Sequence, residues 1–139
     1  MVMTLEADYA VRIVDTLAQS ARKVDAHTIS MRTQVPLRFA LKILRKLVAG
    51  GLIVSYKGSH GGYALARGAD QITLRQVIES VEGPYMLNRC QQTEYGCNHT
   101  ASCRFHEIYD EISMIVRQKL DSYTFASLSE GPCENCKKE

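Results

Sequence analysis

The run Pro36-Leu-Arg-Phe-Ala-Leu-Lys-Ile-Leu-Arg-Lys-Leu-Val-Ala-Gly-Gly-Leu-Ile-Val-Ser-Tyr-Lys-Gly-Ser-His-Gly-Gly-Tyr-Ala-Leu-Ala66 decides how the rest of the chain is read. Its first part predicts a helix over residues 36–49. Pro36 opens it, where a missing amide costs little, and Gly50-Gly51 stops it. At about 100° per residue, Leu37, Ala40, Leu41, Leu44, Leu47 and Val48 share one face, the expected core side. Arg38, Lys42, Arg45 and Lys46 fall within about 100° of each other on the opposite face. Leu52 to Tyr56 then reads as a strand, Lys57 to Gly62 as a flexible basic tip, and Tyr63 to Ala66 as the returning strand. A glycine-rich tip that leads into a strand lacks the helix a phosphate-cradling loop needs, which argues against nucleotide binding.

Upstream, Ala7, Ala10, Val11, Val14, Leu17 and Ala18 recur at helical spacing and predict a helix from Asp8 to about Gln19. Thr4 is a poor capping-box match, although Glu6 and Asp8 suit the positive end of a helix dipole. A polar break at Ser20–Asp25 precedes a short helix over 28–34. Three helices followed by a basic hairpin make a winged helix, in which the third helix enters the major groove and the wing approaches the backbone or minor groove. On that reading Lys42, Arg45 and Lys46 contact mainly phosphates. Arg38 and its neighbours Leu37 and Phe39 read bases from the helix start. Thr28 and Arg32 contribute from the second helix, and Lys57, Ser59 and His60 form the wing contact.

Charge supports the same conclusion. The 139-residue chain carries a net charge of only +2, yet between Asp25 and Asp70 there are seven basic residues and no acidic one. Such segregation points to a polyanion partner for one part of the chain. With 45% apolar and 23% charged residues the composition is that of a globular protein. The stretch Met1-Val-Met-Thr-Leu-Glu-Ala-Asp places acids where a secretory signal needs an apolar core. The longest apolar run, Leu47 to Val54, is too short to span a bilayer. Both observations predict a cytoplasmic protein without a membrane partner. No nucleophile–base constellation appears beyond the thiols, so no enzyme is expected.

Downstream, Thr73 to Glu82 predicts a well-capped amphipathic helix ended by Gly83-Pro84. Residues 90–106 follow, with Cys90, Cys97 and Cys103 separated by six and then five residues, and His106 three places after the last. Thiolates at this density can share a zinc ion or an iron–sulfur cluster, the alternatives being a disulfide loop or inert core thiols. His99 lies inside this loop, but nothing else recommends it. From Cys103 to Ser122 the chain is helical again. There Phe105, Ile108, Tyr109, Ile112, Ile115, Val116 and Leu120 form a stripe about five turns long. So long a helix beyond a compact domain tends to pack on its copy, giving a two-fold homodimer and a pseudo-palindromic site. The tail carries Cys133 and Cys136, an accessory thiol pair whose Cys-x-x-Cys spacing suits redox exchange.

The run Leu41 to Arg67, together with Ile72-Thr-Leu-Arg-Gln-Val-Ile-Glu-Ser-Val-Glu-Gly83 and Asp8-Tyr-Ala-Val-Arg12, resembles the signature of a bacterial family. This is the Rrf-type (BadM/IscR/NsrR/RirA-like) group of winged-helix transcription regulators, in its iron–sulfur-binding branch. The resemblance covers residues 3–130. It implies a mainly α fold with a small β-hairpin wing, and a homodimeric regulator of double-stranded DNA operators whose long helix crosses between subunits. The expected organisation is a DNA-binding domain over 1–83, a cysteine-rich cluster loop over 84–103, a dimerisation helix over 104–124 and a tail over 125–139.

In cluster-binding members, three cysteines at the positions of Cys90, Cys97 and Cys103 hold an iron–sulfur cluster. The resemblance leaves the fourth ligand open. IscR-like members use a histidine placed as His106 is, with a 2Fe–2S cluster. NsrR-like members use an acid of the partner's first helix, as Asp8 here, with a 4Fe–4S cluster. The implied function is a repressor, or dual regulator, whose operator affinity follows cluster state and so senses redox, nitric oxide or iron. The rivals are a cluster-free member of the family sensing a metabolite or partner protein, and a small iron–sulfur or zinc carrier.

Overall fold

The computed structural model describes residues 2–92 and 102–129. Its elements are α1 (Leu5–Ala18), α2 (Ala26–Thr33), α3 (Leu37–Ala49), β1 (Ile53–Tyr56), β2 (Gly62–Leu65), α4 (Leu74–Glu82), α5 (Arg104–Asp121) and α6 (Phe125–Leu128). Single 3-10 turns cover Ala69–Gln71 and Arg89–Gln91. The strands pair antiparallel, Ile53 opposite Leu65 and Tyr56 opposite Gly62. This is the expected winged helix, mainly α with a hairpin wing.

The core is built by α1, α3 and α4 with the base of the hairpin. Ala7, Ala10, Ile13, Val14 and Leu17 of α1 meet Ala40, Ile43, Leu44 and Leu47 of α3 and Val77, Ile78 and Val81 of α4. The buried face of α3 lies about 50° round the helix from the expected stripe. Ile43 is inside, while Leu37 and Val48 are 40% and 37% exposed. The rotation brings the Lys46 side of the helix toward the protein.

Helix α1 starts three residues earlier than predicted, because Thr4 does cap it. The Thr4 hydroxyl accepts a hydrogen bond from the Ala7 amide at 3.2 Å, while Glu82 at the end of α4 accepts the Thr4 amide at 3.1 Å. The acid that a capping box draws from the third helical residue comes here from 78 positions away, which a local pattern cannot show. Helix α4 has the predicted cap, with Thr73 and Gln76 forming a full capping box.

The expected tail over 125–139 begins too early. Phe125 is fully buried in the main core. Its amide bonds the Ile72 carbonyl at 3.1 Å, and the Leu74 amide bonds the Tyr123 carbonyl at 2.9 Å. One turn of α6 therefore packs into the globule. Residues 130–139, with Cys133 and Cys136, lie outside the described residues.

Candidate DNA-binding surface and cysteine site

Helix α2 is capped by Asp25, whose carboxylate accepts the Thr28 amide at 3.2 Å and the Thr28 hydroxyl. Those two bonds hold the Asp25 carboxyl below its usual range. Gln34 takes a left-handed conformation, φ 56°, and turns the chain sharply into α3. The α2–α3 pair so formed leaves Leu37, Arg38, Phe39, Lys42 and Arg45 exposed on one side. Lys57, Ser59 and His60 stand exposed at the wing tip.

The predicted cations are not equivalent. Lys46 Nζ lies 2.8 Å from Glu6 Oε1 and donates to the Val81 carbonyl at 3.2 Å. Lys42 Nζ lies 3.3 Å from the same carboxylate oxygen. Lys46 first and then Lys42 hold the Glu6 carboxyl below its usual range, against an opposing contribution from burial. An acid from outside the acid-free window is thus folded onto the basic helix. Arg67 donates to the Gly51 and Gln71 carbonyls and to Gln76 Oε1, and so braces the base of the wing. Among the described residues Arg32, Arg38, Arg45 and Lys57 make no ion pair.

The cysteine segment is moored to α4 and α5. The buried Ser113 hydroxyl accepts the Leu87 amide at 2.9 Å and lies 3.0 Å from Gln91 Oε1 and 2.7 Å from the Tyr109 carbonyl. Arg117 donates to the Tyr85 carbonyl at 2.8 Å, and the Tyr85 amide donates to Glu79 at 3.0 Å. Across the same junction Arg75 lies 2.7 Å from Asp121, which, with Glu79, raises the guanidinium above its usual value. Ser113, Arg117 and Gln91 escaped the sequence reading. A serine flanking an apolar stripe is its only local signal, and the partners are distant in sequence.

These moorings bring Cys90, on the 3-10 turn, to 3.6 Å from His106 Nδ1 on the first turn of α5. Cys103 precedes that helix and its carbonyl accepts the His106 amide at 3.0 Å. Both thiols are half-buried. Cys97 lies outside the described residues, among which no three donors gather as a metal site would require. Asp8 sits on α1, paired with Arg12 at 2.7 Å.

Helix α5 leaves one side of its apolar stripe uncovered, while Tyr109, Val116 and Leu120 are half-buried and Leu120 packs against the core. Phe105, Ile108, Ile112 and Ile115 are each 38–57% exposed, and Ser113 is the one buried residue of the helix. No helix among the described residues is long and apolar enough to cross a membrane.

A three-helix unit with a hairpin wing and an exposed basic helix defines a winged-helix DNA-binding protein. Residues 3–131 match the Rrf2 family model, described as an iron-dependent transcriptional regulator. The chain belongs to that family and is a DNA-binding transcriptional regulator. It is 31% identical over 130 residues to the HTH-type transcriptional regulator IscR of Sodalis glossinidius, covering 92% of this chain and 78% of that protein. Among solved structures it resembles T. potens IscR, with TM-score 0.75, 20% identity and coverage of 100% of this chain and 94% of the other. It also resembles CymR, the global cysteine regulator of B. subtilis, with TM-score 0.73, 24% identity and coverage of 93% and 96%. The structural likenesses carry the fold. The relatives are transcriptional regulators, in keeping with a chain that is not an enzyme.

Proposed function

We propose that this regulator is a homodimeric repressor whose operator affinity is set by an iron–sulfur cluster held by Cys90, Cys97, Cys103 and His106. The observation that carries the proposal is the 3.6 Å separation of Cys90 Sγ and His106 Nδ1. A thiolate and an imidazole are both ligands of such clusters, and side chains this close could be held by a common cluster. The Asp8 carboxylate is instead engaged by Arg12 of its own helix, which favours His106 as the fourth ligand. When bound, such a cluster supplies a centre that reacts with oxidants and nitric oxide and is lost at low iron.

The protein's own residues connect that site to the DNA surface. Tyr85 and Arg117 couple the cysteine segment to Glu79 of α4. Glu82, at the far end of α4, holds Thr4 at the start of α1, and Glu6 of α1 grips Lys42 and Lys46 of the recognition helix. Adjacency along such a chain is not itself coupling; regulation requires that cluster binding favour one of two arrangements of these elements. In the dimer the uncovered stripe of α5 packs on its copy, so the two α3 helices face one pseudo-palindromic operator. Arg38 and Arg45, without ion pairs among the described residues, carry the main contacts of α3, with Leu37 and Phe39 beside them and Lys42 secondary. Thr28 and Arg32 contact the backbone from α2, and Lys57, Ser59 and His60 from the wing.

Ligation is tested by Mössbauer spectroscopy of anaerobically reconstituted wild type, His106→Ala and Asp8→Ala. The expected result is an iron signal altered by His106→Ala and unchanged by Asp8→Ala. The reverse pattern assigns the fourth bond to Asp8, and no iron signal from wild type supports a cluster-free regulator.

A further inference from the structure

The turn between α1 and α2 belongs to the wing. The Val24 amide donates to the Tyr63 carbonyl at 3.0 Å, and the Tyr63 amide donates to the Val24 carbonyl at 2.8 Å, making an antiparallel bridge on the outer edge of β2. Gly62 permits this approach: at φ 150°, a Cβ there would come within 2.9 Å of the Val24 carbonyl. Lys23 Nζ stands 4.4 Å from the centre of the Tyr56 ring on β1, a cation–π contact that orients the side chain. On the other flank Arg32 of α2 reaches Ser20 Oγ at 3.5 Å. The turn is thus fixed between the wing and α2.

Two open clefts meet at this turn. One, of about 830 Å3, is lined by Arg22, Lys23, His60 and Arg67. The other, of about 430 Å3, is lined by Arg22, Lys23, Thr28, Arg32 and the carboxylate-bearing Asp25. Asp25 is occupied by Thr28 and Arg67 by the base of the wing. Arg22 and Lys23 are exposed and, among the described residues, make no ion pair. A small ligand is normally enclosed over most of its surface. An open track of cations around one turn matches a polyanion strand instead, and duplex DNA presents a charge about every 1.7 Å of axis.

We infer that the Ser20–Lys23 turn is a separate anchorage for the DNA backbone. Arg22 and Lys23 seat phosphodiesters between the α2 contacts and the wing tip, in addition to those that α2, α3 and the wing hold. The inference rests on the operator-binding reading and adds two residues that lie outside the acid-free window of the sequence.

The test measures operator affinity of the full-length protein from 50 to 200 mM salt, on a duplex with long flanks and on one trimmed to the half-sites. On the long duplex Arg22→Gln/Lys23→Gln should lower the slope of log affinity against log salt by about two per protomer. On the trimmed duplex, which keeps the phosphates between the α2 and wing contacts, the reduction should be the same. The charge-keeping Arg22→Lys/Lys23→Arg variant should retain the wild-type slope on both, which separates lost charge from lost structure. Equal slopes for the Gln variant and wild type on the long duplex overturn the inference while leaving operator binding intact. A loss confined to the long duplex, or tight binding of inorganic phosphate that the Gln variant lacks, overturns it by assigning the turn to flanking DNA or to a small anion. Failure of wild type to bind any duplex overturns the operator reading itself.

Discussion

Phe125 and Glu6 are each held by residues far from them in the sequence, Phe125 through Ile72 and Glu6 through Lys42 and Lys46. Phe125 falls after a charged helix and before a polar tail, so it offers no periodic partner, yet it fills the core between α1 and the start of α4. Phe125→Ala should destabilise the protein by about 3–5 kcal/mol, measured by urea unfolding. A loss below about 1 kcal/mol would mean that α6 does not dock as described. Glu6 illustrates the second kind of surprise. Its acidity is legible in the sequence, but its position over Lys42 and Lys46 depends on the packing of α1 across α3. Because its folded pKa is depressed, the pairing stabilises the protein above the ordinary carboxylate range and that contribution is lost as pH falls through the folded value. The melting temperature of Glu6→Gln should therefore fall below wild type near neutral pH and converge with it in acid. By freeing two lysines, the same substitution should also steepen the salt dependence of operator binding. A constant offset in melting temperature at all pH values would show that the ion pair is not the cause.

At the scale of elements, periodicity located the helices well and their faces less well. The stripe of α3 was placed about 50° from its buried side because Leu37 and Val48 suggested a core that Ile43 supplies. Hydrophobicity alone cannot rank Leu37 and Val48 against Ile43 when all three lie near the boundary of the face. The caps at Thr73 and Asp25 are local, and Thr73 was readable; the Thr4 cap needed Glu82 and was not. Helix α5 is the opposite case, since its stripe is plain in the sequence and its Phe105, Ile108, Ile112 and Ile115 side remains uncovered in the isolated chain. If a second copy covers it, Ile112→Glu together with Ile115→Glu should convert a dimer into a folded monomer in sedimentation. The same pair should weaken operator binding at least tenfold, because two half-sites are then no longer engaged together. An unchanged dimer would place the subunit contact elsewhere.

For the molecule as a whole, the winged-helix architecture was legible because helix, glycine stop, strand, basic tip and strand succeed one another within about thirty residues. The proposed cysteine site reads in the sequence as a set of donors and not as geometry: the bonds that hold Cys90 near α5, through Ser113, Arg117 and Gln91, join segments more than twenty residues apart. Those moorings place Cys90 beside His106 and link the donor site to α4, which through Glu82, Thr4 and Glu6 reaches the recognition helix. If the proposed regulation holds, this linkage makes DNA affinity depend on cluster occupancy. The most direct test compares anaerobic operator affinity of the reconstituted protein with that of the same preparation stripped of iron, at one salt concentration, alongside His106→Ala. A difference of tenfold or more between the two wild-type forms, abolished in His106→Ala, is the predicted result. Equal affinity of the loaded and stripped wild-type protein for the same operator would contradict it.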